Sequence, residues 1–178
     1  MKTEMTLENR TNNNGRYSIF RLIIQIPGIR YNDIARITKF NNGVISHFLC
    51  VLKKNYYIKV VRCSNGNIAR YFSSSISYED CLIIGYLKNE TARKIVLFLH
   101  YNSESNFEKI RLNINKASST TSWNLKRLID DDIIVKSRAK NHQYYFIKNP
   151  SQVAKFLQNS TNLLLDGDTD VMKLSVTV

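Results

Sequence analysis

The chain has 178 residues, of which 43% are hydrophobic, enough to form one domain of ordinary size or two small ones. Its 26 Lys and Arg against 14 Asp and Glu give a net charge of +12, which favours a polyanionic partner because basic surfaces gain affinity by releasing counterions from phosphates. No apolar run approaches the roughly 18 residues that span a bilayer, and the N-terminus lacks an apolar signal region, so we expect a cytoplasmic protein without a membrane segment.

The positive charge is concentrated in the part of the chain that precedes the C-terminal tail. Residues 1–160 carry 25 basic and 11 acidic side chains, whereas residues 161–178 carry Lys173 against three aspartates. The acidic C-terminal tail is therefore not expected to belong to a surface that faces phosphates.

The residue types that usually carry catalysis or bind metals lack a functional spacing. The intervals between Cys50, Cys63 and Cys81 match neither a zinc ribbon nor a disulfide framework. The three histidines form no His-x-x-x-His pair, and the sequence has no glycine-rich phosphate loop and no carboxylate pair placed for acid–base chemistry. We therefore predict no enzymatic activity, no catalytic residue, no metal and no cofactor, and we interpret the cysteines as packing residues rather than a redox switch.

The first segments of the chain predict a flexible arm followed by two helices. Residues 1–14 lack apolar periodicity, which is typical of a mobile arm. The apolar residues of 17–26 predict a largely buried helix that ends at Pro27-Gly28. A short second helix around Ile34 follows, and residues 39–42 supply the turn after it.

The next segments predict a third helix and a basic β-hairpin. Asn41 or Asn42 is a suitable N-cap for a helix whose apolar residues recur at spacings of three and four. Two runs rich in β-forming residues, 58–62 and 68–72, then flank Asn65-Gly66, a strong signal for a two-residue turn. The basic residues of this hairpin are Lys59, Arg62 and Arg70.

The second half of the chain predicts the same elements again. A helix with a capping-box-like start at 77–80 connects the two halves. Three further helices follow, with Asn89 as the expected cap of the first, and a second hairpin pairs 133–138 with 143–147. Each half thus consists of three helices and a hairpin.

A final helix is expected over residues 151–165. Pro150 is favourable at the start of a helix, and apolar residues such as Val153 and Phe156 require an apolar partner. A second copy of the chain would supply one, so we expect a possible homodimer formed through this C-terminal helix.

A repeat relates the two halves at one constant offset in sequence number. Ser46, Leu49, Leu52 and Ile58 recur as Ser122, Leu125, Leu128 and Ile134. We predict an α+β protein, mainly α with small β-hairpins, built from two tandem winged helix-turn-helix domains. The predicted boundaries are 1–14 for the flexible arm, 15–75 for the first domain, 76–148 for the second domain, and 149–178 for the C-terminal helix and tail.

One stretch of the second half matches a family pattern. Residues 121–131 contain, from Ser122 onward, the order Ser, aromatic, polar, Leu, Lys, Arg, Leu, hydrophobic, acidic, acidic. Together with residues 29–35 leading to 46–49, this stretch resembles the tandem winged helix-turn-helix regulators of archaea, which are related to the MarR and ArsR groups. The resemblance covers about residues 15–158 and implies sequence-specific DNA binding. Members often carry Gly where Tyr56 and Asp132 precede the first hairpin strand, which implies a tighter or differently angled hinge here.

The orientation of the third helices identifies candidate DNA contacts. If their leucines face the core, the opposite faces present small and polar side chains that can contact base edges or phosphates. Basic hairpin residues often serve only to discourage strand aggregation, but their recurrence in both halves favours phosphate or minor-groove contact. The predicted contacts of the first half are Asn41, Asn42, Gly43, Ser46, His47, Lys59, Arg62, Asn65 and Arg70. Those of the second half are Ser118, Ser119, Thr120, Thr121, Lys126, Arg127, Lys136, Arg138 and Lys140.

Two residues on these helix faces are expected to be packing residues. A lone tryptophan is usually buried, so we expect Trp123 to lie between helices rather than on the surface. Cys50 accompanies the outward face of the first half, and we expect it to be inert.

The repeated pattern and the basic charge predict a protein that binds double-stranded DNA through two recognition helices and two basic wings, and the family resemblance implies that it is a sequence-specific transcriptional regulator. Two alternatives stay open, because tandem winged helices also serve as protein-docking scaffolds and as replication initiators. No small-molecule effector can be named, since no sequence pattern indicates a pocket with convergent charged groups. The two third helices differ in composition, so the two halves are not expected to bind the same bases.

Overall fold

The computed structural model describes residues 7–64, 66–139 and 142–158. Across these ranges the protein is an α+β fold with eight helices and two three-stranded antiparallel sheets. The predicted fold class is confirmed, with most of the described residues in helices.

The first unit, residues 7–73, contains three helices and a sheet within its described part. In chain order its elements are α1 (Leu7–Gln25), β1 (Ile29–Arg30), α2 (Tyr31–Thr38), α3 (Asn42–Lys54), β2 (Ile58–Val61) and β3 (Arg70–Ser73). The sheet has the order β1-β3-β2. Tyr71 of the central strand β3 therefore lies opposite Ile29 on one side and Val60 on the other.

The second unit, residues 90–147, repeats this arrangement after a connecting helix. The connecting helix and the elements that follow it are α4 (Tyr78–Leu87), α5 (Glu90–Asn102), β4 (Glu104–Asn106), α6 (Phe107–Ile114), α7 (Ser118–Asp130), β5 (Ile134–Ala139), β6 (His142–Ile147) and α8 (Pro150–Gln158). The second sheet has the order β4-β6-β5, which is the order of the first sheet applied to equivalent strands.

The repeat extends from the sequence to the backbone conformation. Helices α2 and α6 begin at equivalent positions of the two repeats, and so do α3 and α7. Lys39 and Asn115 both adopt left-handed φ values of 57° and 50°, and Tyr56 and Asp132 do so at 58° and 63°. Glycine tolerates this region most easily, so the positive φ values at Tyr56 and Asp132 agree with the Gly that the family resemblance led us to expect at these two positions.

Several helices begin at a polar residue whose side chain accepts a hydrogen bond from a backbone N–H three residues later. The caps, each with the residue whose N–H it accepts, are Asn41 (Val44), Ser77 (Asp80), Asn89 (Ala92) and Asn106 (Lys109). These bonds satisfy N–H groups that the helix itself leaves without a partner. The caps expected at Asn41 and Asn89 and the start expected near Ser77 are confirmed. Helix α7 differs, because its N-cap residue Ala117 makes no such side-chain bond.

Two apolar clusters form the core of the described residues. The first lies within the first unit and contains Ile19, Ile23 and Ile45. The second surrounds α4, whose residues 81–87 are all buried, and it includes Val61 and Phe72 of the first sheet together with residues of the second unit. The two units are therefore joined by a shared core rather than by a linker.

The predicted flexible arm is wrong for residues 7–14, which belong to α1. Ile19 and Ile23 anchor this helix in the core, and extending an anchored helix costs far less than starting one. Gly15 allows α1 to approach α3 closely, since a Cβ at this position would lie 2.9 Å from the Phe48 ring. Residues 1–6 of the predicted arm lie outside the described residues.

The two hairpins differ in the length of their loops. Val61 pairs with Arg70, so residues 62–69 form a longer loop than the predicted two-residue turn at Asn65-Gly66. The loop residue Ser64 bonds to Arg127 and Asp131 at the end of α7 instead of continuing the ladder. In the second hairpin Arg138 pairs with Gln143, as predicted, and Ala139 pairs with His142. The second loop is therefore the shorter one.

The C-terminal helix packs on its own chain. Helix α8 contacts α4, and its residues Val153 and Phe156 are buried in the shared core. The apolar partner that the sequence required for these residues is therefore α4, so they do not offer a contact for a second copy. The rest of the predicted helix, residues 159–165, lies outside the described residues.

Candidate nucleic-acid interface

In the first unit, a hydroxyl connects the two helices of the helix-turn-helix. Tyr31, at the start of α2, donates a hydrogen bond of 2.9 Å to the carbonyl oxygen of Asn42, and its Oη lies 3.1 Å from Ser46 Oγ. Phe107 stands at the equivalent position of the second repeat and has no hydroxyl, so it cannot make either bond. Ser122, the equivalent of Ser46, therefore has no tyrosine hydroxyl from this position beside it.

Helix α3 presents the predicted face to solvent. Its apolar residues Ile45, Phe48, Leu49 and Leu52 are buried, as the spacing predicted. The exposed residues of its outer face are Asn41, Asn42, Gly43, Ser46, His47 and Cys50. Two of these side chains are partly engaged by the protein itself, because the Asn41 side-chain oxygen accepts the Val44 N–H as a helix cap and Ser46 Oγ lies beside the Tyr31 hydroxyl.

In α7, four of the six predicted contacts are exposed. These are Ser118, Ser119, Thr120 and Lys126. Thr121 is a correction, because it is fully buried and its hydroxyl donates to the Ala117 carbonyl one turn earlier. It lies on the core face together with Leu125 and Leu128, and it is therefore not available to DNA.

Arg127 is a second correction. Only 8% of the residue is exposed, and its Nε donates a 2.7 Å hydrogen bond to the carbonyl oxygen of Ser64 in the loop of the first hairpin. Its guanidinium carbon lies 4.3 Å from the centre of the Trp123 ring and 5.4 Å from that of Tyr86. An arginine held by a carbonyl and two rings serves the protein's own structure rather than a phosphate.

Trp123 is more exposed than the sequence predicted. It is 49% exposed on α7, at the position that His47 occupies on α3. Its ring covers the Arg127 guanidinium instead of entering the core. A large aromatic side chain therefore adjoins the polar residues at the start of α7.

The basic residues of the first hairpin are largely engaged by the protein itself. Arg70 is buried, and it donates a 2.9 Å hydrogen bond to the carbonyl oxygen of Gly28, which corrects its prediction as a DNA contact. Lys59 is partly buried and donates to the carbonyl oxygen of Ile76. Arg62 is exposed as predicted, and Asn65 lies outside the described residues.

The second hairpin and α7 together border a basic groove. A cavity of about 310 Å³ is lined by Ser122, Lys126 and Asp130 of α7, Lys136 of β5 and Gln143 of β6. Arg138 is exposed further along β5, and Lys140 lies outside the described residues. The structure thus brings Lys126 and Lys136 together, and it adds Ser122 and Gln143, which the sequence did not single out. The signal for Ser122 was the repeat itself, since Ser122 is the equivalent of Ser46.

A charge cluster supports the start of α2. Arg30 Nε lies 2.8 Å from Asp33 Oδ2, and Arg36 Nη2 lies 3.1 Å from Asp33 Oδ1. Burial opposes ionisation of Asp33, but the hydrogen bond and charge of Arg30 and the charge of Arg36 outweigh it and hold the pKa of this carboxyl below its ordinary value. Sequence reasoning missed this cluster.

The Asp33 cluster is expected to make part of the protein's folding stability depend on pH in the acidic range. Because its pKa is lowered on folding, Asp33 stabilises the native state above its ordinary pKa of 3.8, and this contribution is lost as the pH falls through the folded-state pKa. We expect the difference in unfolding free energy between the wild type and Asp33→Asn to shrink as the pH is lowered from about 6 to about 3. Urea denaturation at several pH values measures it. The exposed Glu104→Gln variant is the control, and a constant difference for Asp33→Asn would contradict the assignment.

The cysteines differ in exposure, because Cys50 is exposed, which corrects its prediction as a packing residue, whereas Cys63 is partly buried and Cys81 is buried. Burial, followed by the charge of Asp131, raises the pKa of the Cys63 thiol to about 11, so it is protonated at neutral pH. Within the described residues no group of three or more His, Cys, Asp or Glu side chains is placed to hold a metal ion. In the same part of the chain, no helix has the length and apolar character needed to cross a membrane.

No protein-family model matches this chain. A curated relative, the uncharacterized HTH-type transcriptional regulator MJ1398 of Methanocaldococcus jannaschii, is 27% identical over 135 residues, which cover 76% of this chain and 34% of the relative. The chain therefore spans about a third of the length of the curated relative that it matches.

Two solved repressor structures also match. The transcriptional repressor PagR of Bacillus anthracis has 21% identity and a TM-score of 0.41, and the match covers 46% of this chain and 92% of PagR. The antimony-specific transcriptional repressor AntR has 22% identity and a TM-score of 0.41, over 46% of this chain and 73% of AntR. The description of the curated relative as a transcriptional regulator agrees with the class of protein that the sequence predicted. This chain is thus similar to an archaeal regulator of the helix-turn-helix type.

Proposed function

We propose that this protein is a transcriptional regulator that binds duplex DNA through the exposed faces of α3 and α7 and through the second hairpin. The observation that carries the proposal is the groove in which Lys126 of α7 and Lys136 of β5 lie beside Ser122 and Gln143. Two lysines against the single carboxylate of Asp130 leave this groove with an excess of positive charge that suits phosphates, while its hydroxyl and amide groups suit base edges.

The two helix starts would supply the base contacts. Ser46 and His47 on α3 carry hydrogen-bonding groups, and the neighbouring Gly43 leaves room for close approach to a major groove. Ser119 and Thr120 offer comparable groups on α7. The two sets differ in chemistry, so each unit would prefer different bases.

We further propose that the two units are tandem winged helix-turn-helix domains that use their wings differently. The second hairpin would follow a phosphate backbone with Lys136 and Arg138. The first hairpin would contribute Arg62 alone among its predicted basic contacts, because Arg70 and Lys59 donate to the protein's own carbonyl groups.

Selection of bound sequences from a random duplex pool tests this function. We expect the wild type to enrich two short motifs. Ser46→Ala should relax preference within one motif and Ser119→Ala within the other, because base contacts specify sequence. Arg138→Ala should weaken binding to all duplexes alike, since a phosphate contact carries no sequence information. If no motif is enriched by the wild type, the proposed specific binding is wrong.

A protein-docking scaffold is the second candidate, and one observation favours it. A groove of about 670 Å³ beside α1 and α3 is lined by Tyr17, Phe20 and Tyr57, two of which are mostly exposed. A docking module would leave duplex DNA unbound even at low salt, whereas the DNA-binding function requires binding there. A replication initiator would also bind DNA, and the genomic positions of the bound sites distinguish it from a regulator.

Some expectations about partners stay predictions. A homodimer through the C-terminal helix depends on residues 159–165, because Val153 and Phe156 are covered by α4. A cytoplasmic location also stays a prediction. No effector molecule is proposed.

A further inference from the structure

The loop of the first hairpin is bonded to the end of α7. The backbone N–H of Ser64 donates a 2.7 Å hydrogen bond to Asp131 Oδ2, and its hydroxyl donates to Asp131 Oδ1. The Ser64 carbonyl oxygen accepts the 2.7 Å bond from Arg127 Nε. Two side chains of the second unit therefore engage all three polar groups of one residue of the first unit.

Tyr86 of α4 supports both of these side chains from the core. Its hydroxyl lies 2.8 Å from the Arg127 carbonyl oxygen and 2.7 Å from Asp131 Oδ2, so it can donate to either. Burial and the bond to Asp131 hold the pKa of Tyr86 well above its usual range, and the hydroxyl therefore keeps its proton. We refer to Ser64, Tyr86, Arg127 and Asp131 as the latch.

Two glycines permit the close packing of the residues around the latch. A Cβ on Gly66 would lie 2.8 Å from Arg127 Nη2, and a Cβ on Gly85 would lie 2.9 Å from Cys63 Sγ. The loop thus approaches α4 and α7 more closely than a residue with a side chain would permit at either position.

The latch belongs to one repeat only. The positions equivalent to Arg127 and Asp131 in the first unit are Val51 and Asn55, which lack both charges. Packing residues such as Leu49 and Leu125 are identical at equivalent positions of the two repeats. The replacement of Val51 and Asn55 by Arg127 and Asp131 therefore concerns the contact between the units rather than the core of each repeat. The repeated fold forms in the first unit without these two charged residues, so the fold alone does not require them in the second.

The latch acts on the relative placement of α3 and α7. Helix α3 continues through a three-residue connection into β2, so the first hairpin and α3 move together. The shared apolar core holds the two units in contact, but apolar contact is non-directional, whereas hydrogen bonds fix an orientation. Bonding the hairpin loop to the end of α7 therefore restricts the angle between the two helices.

We propose that the latch sets the separation of the two recognition helices and thereby determines the spacing between the two base motifs that the protein binds. This inference rests on the proposed DNA-binding function and deepens it. Ser64, Arg127 and Asp131 are then positioning residues that contact no DNA, and a duplex whose motifs are wrongly spaced can engage only one unit at a time.

Duplexes that carry both selected motifs at varied spacing test the proposal. The wild type is expected to bind one spacing at least about 10-fold more tightly than spacings longer or shorter by two base pairs. Asp131→Asn and Ser64→Ala should reduce this preference to less than about 3-fold and leave binding to a single motif nearly unchanged. Asp132→Asn is the matched control, because its carboxylate pairs with Lys148 at the surface and lies outside the latch.

A second measurement separates the latch from DNA binding. Spin labels on Cys50 of α3 and on a Ser119→Cys variant of α7 report the distance between the helices in the free protein. We expect a narrow distribution that broadens with Asp131→Asn and not with Asp132→Asn. An unchanged distribution with Asp131→Asn, or a wild type that binds DNA without spacing preference, would overturn the latch. Failure of the wild type to bind any duplex would overturn the proposed function and the spacing inference with it.

Discussion

Replacing Lys126 and Lys136 together by alanine is expected to weaken duplex DNA binding by roughly 50-fold at 0.1 M salt, if each lysine neutralises one phosphate. Each neutralised phosphate contributes about 0.9 to the slope of the logarithm of the binding constant against the logarithm of salt concentration. The double variant should therefore lose about 2 units of this slope. Fluorescence anisotropy titrations at several salt concentrations measure both quantities.

The control for this prediction removes the same charge elsewhere. Lys94 pairs with Glu90 on α5, and Lys148 pairs with Asp132, both outside the basic groove. The Lys94→Ala, Lys148→Ala double variant has the same net charge as the groove variant and should keep most of the affinity. Equal losses in the two double variants would show that overall charge rather than the groove binds DNA.

The second large effect concerns the inward face of α7. Leu128 is fully buried in the core shared by the two units, and we expect Leu128→Ala to lower the free energy of unfolding by about 2–5 kcal/mol. The loss combines the missing transfer of apolar surface with the cavity that remains. Urea denaturation followed by circular dichroism measures it.

Leu112 on α6 provides the matched control for Leu128. It is the same residue type but is 63% exposed, so Leu112→Ala should change the unfolding free energy by no more than about 0.5 kcal/mol. A loss below about 1 kcal/mol for Leu128→Ala would contradict the orientation assigned to α7 and, with it, the identity of its exposed face.

Local patterns predicted much of the fold. The spacing of Ile45, Leu49 and Leu52 fixed which face of α3 is buried, and the caps at Asn41 and Asn89 depend on residues only a few positions away. The repeat carried these assignments to the second half, where equivalent residues adopt equivalent backbone conformations. The short strands β1 and β4 were missed, because two or three residues are too few to show alternation.

The errors arise from contacts between distant residues. An arginine is expected at the surface unless a partner is known, and the partners of Arg70 and Arg127 are carbonyl oxygens 42 and 63 residues away. The same contact explains Trp123, whose ring covers a guanidinium rather than entering the core. The Asn65-Gly66 signal predicted a tight turn, but a loop that must reach α7 is longer. Thr121 was misplaced because a small polar residue fits either face of a helix.

The groove residues were predicted in part. Lys126 and Lys136 were chosen as basic residues on adjoining elements, and the fold brings them to one cavity. Ser122 and Gln143 line the same cavity but carry no charge, so composition alone gave no reason to select them. The position of Gln143 depends on the register of β6 with β5, in which it lies opposite Arg138.

Titration of the wild-type protein with a labelled random-sequence duplex at two salt concentrations tests the proposed function most directly. Binding at about 50 mM salt that weakens steeply by about 200 mM is the predicted result, because the basic surface would release counterions from the phosphates. The absence of binding even at the lower salt concentration would contradict the proposal that this protein acts on duplex DNA.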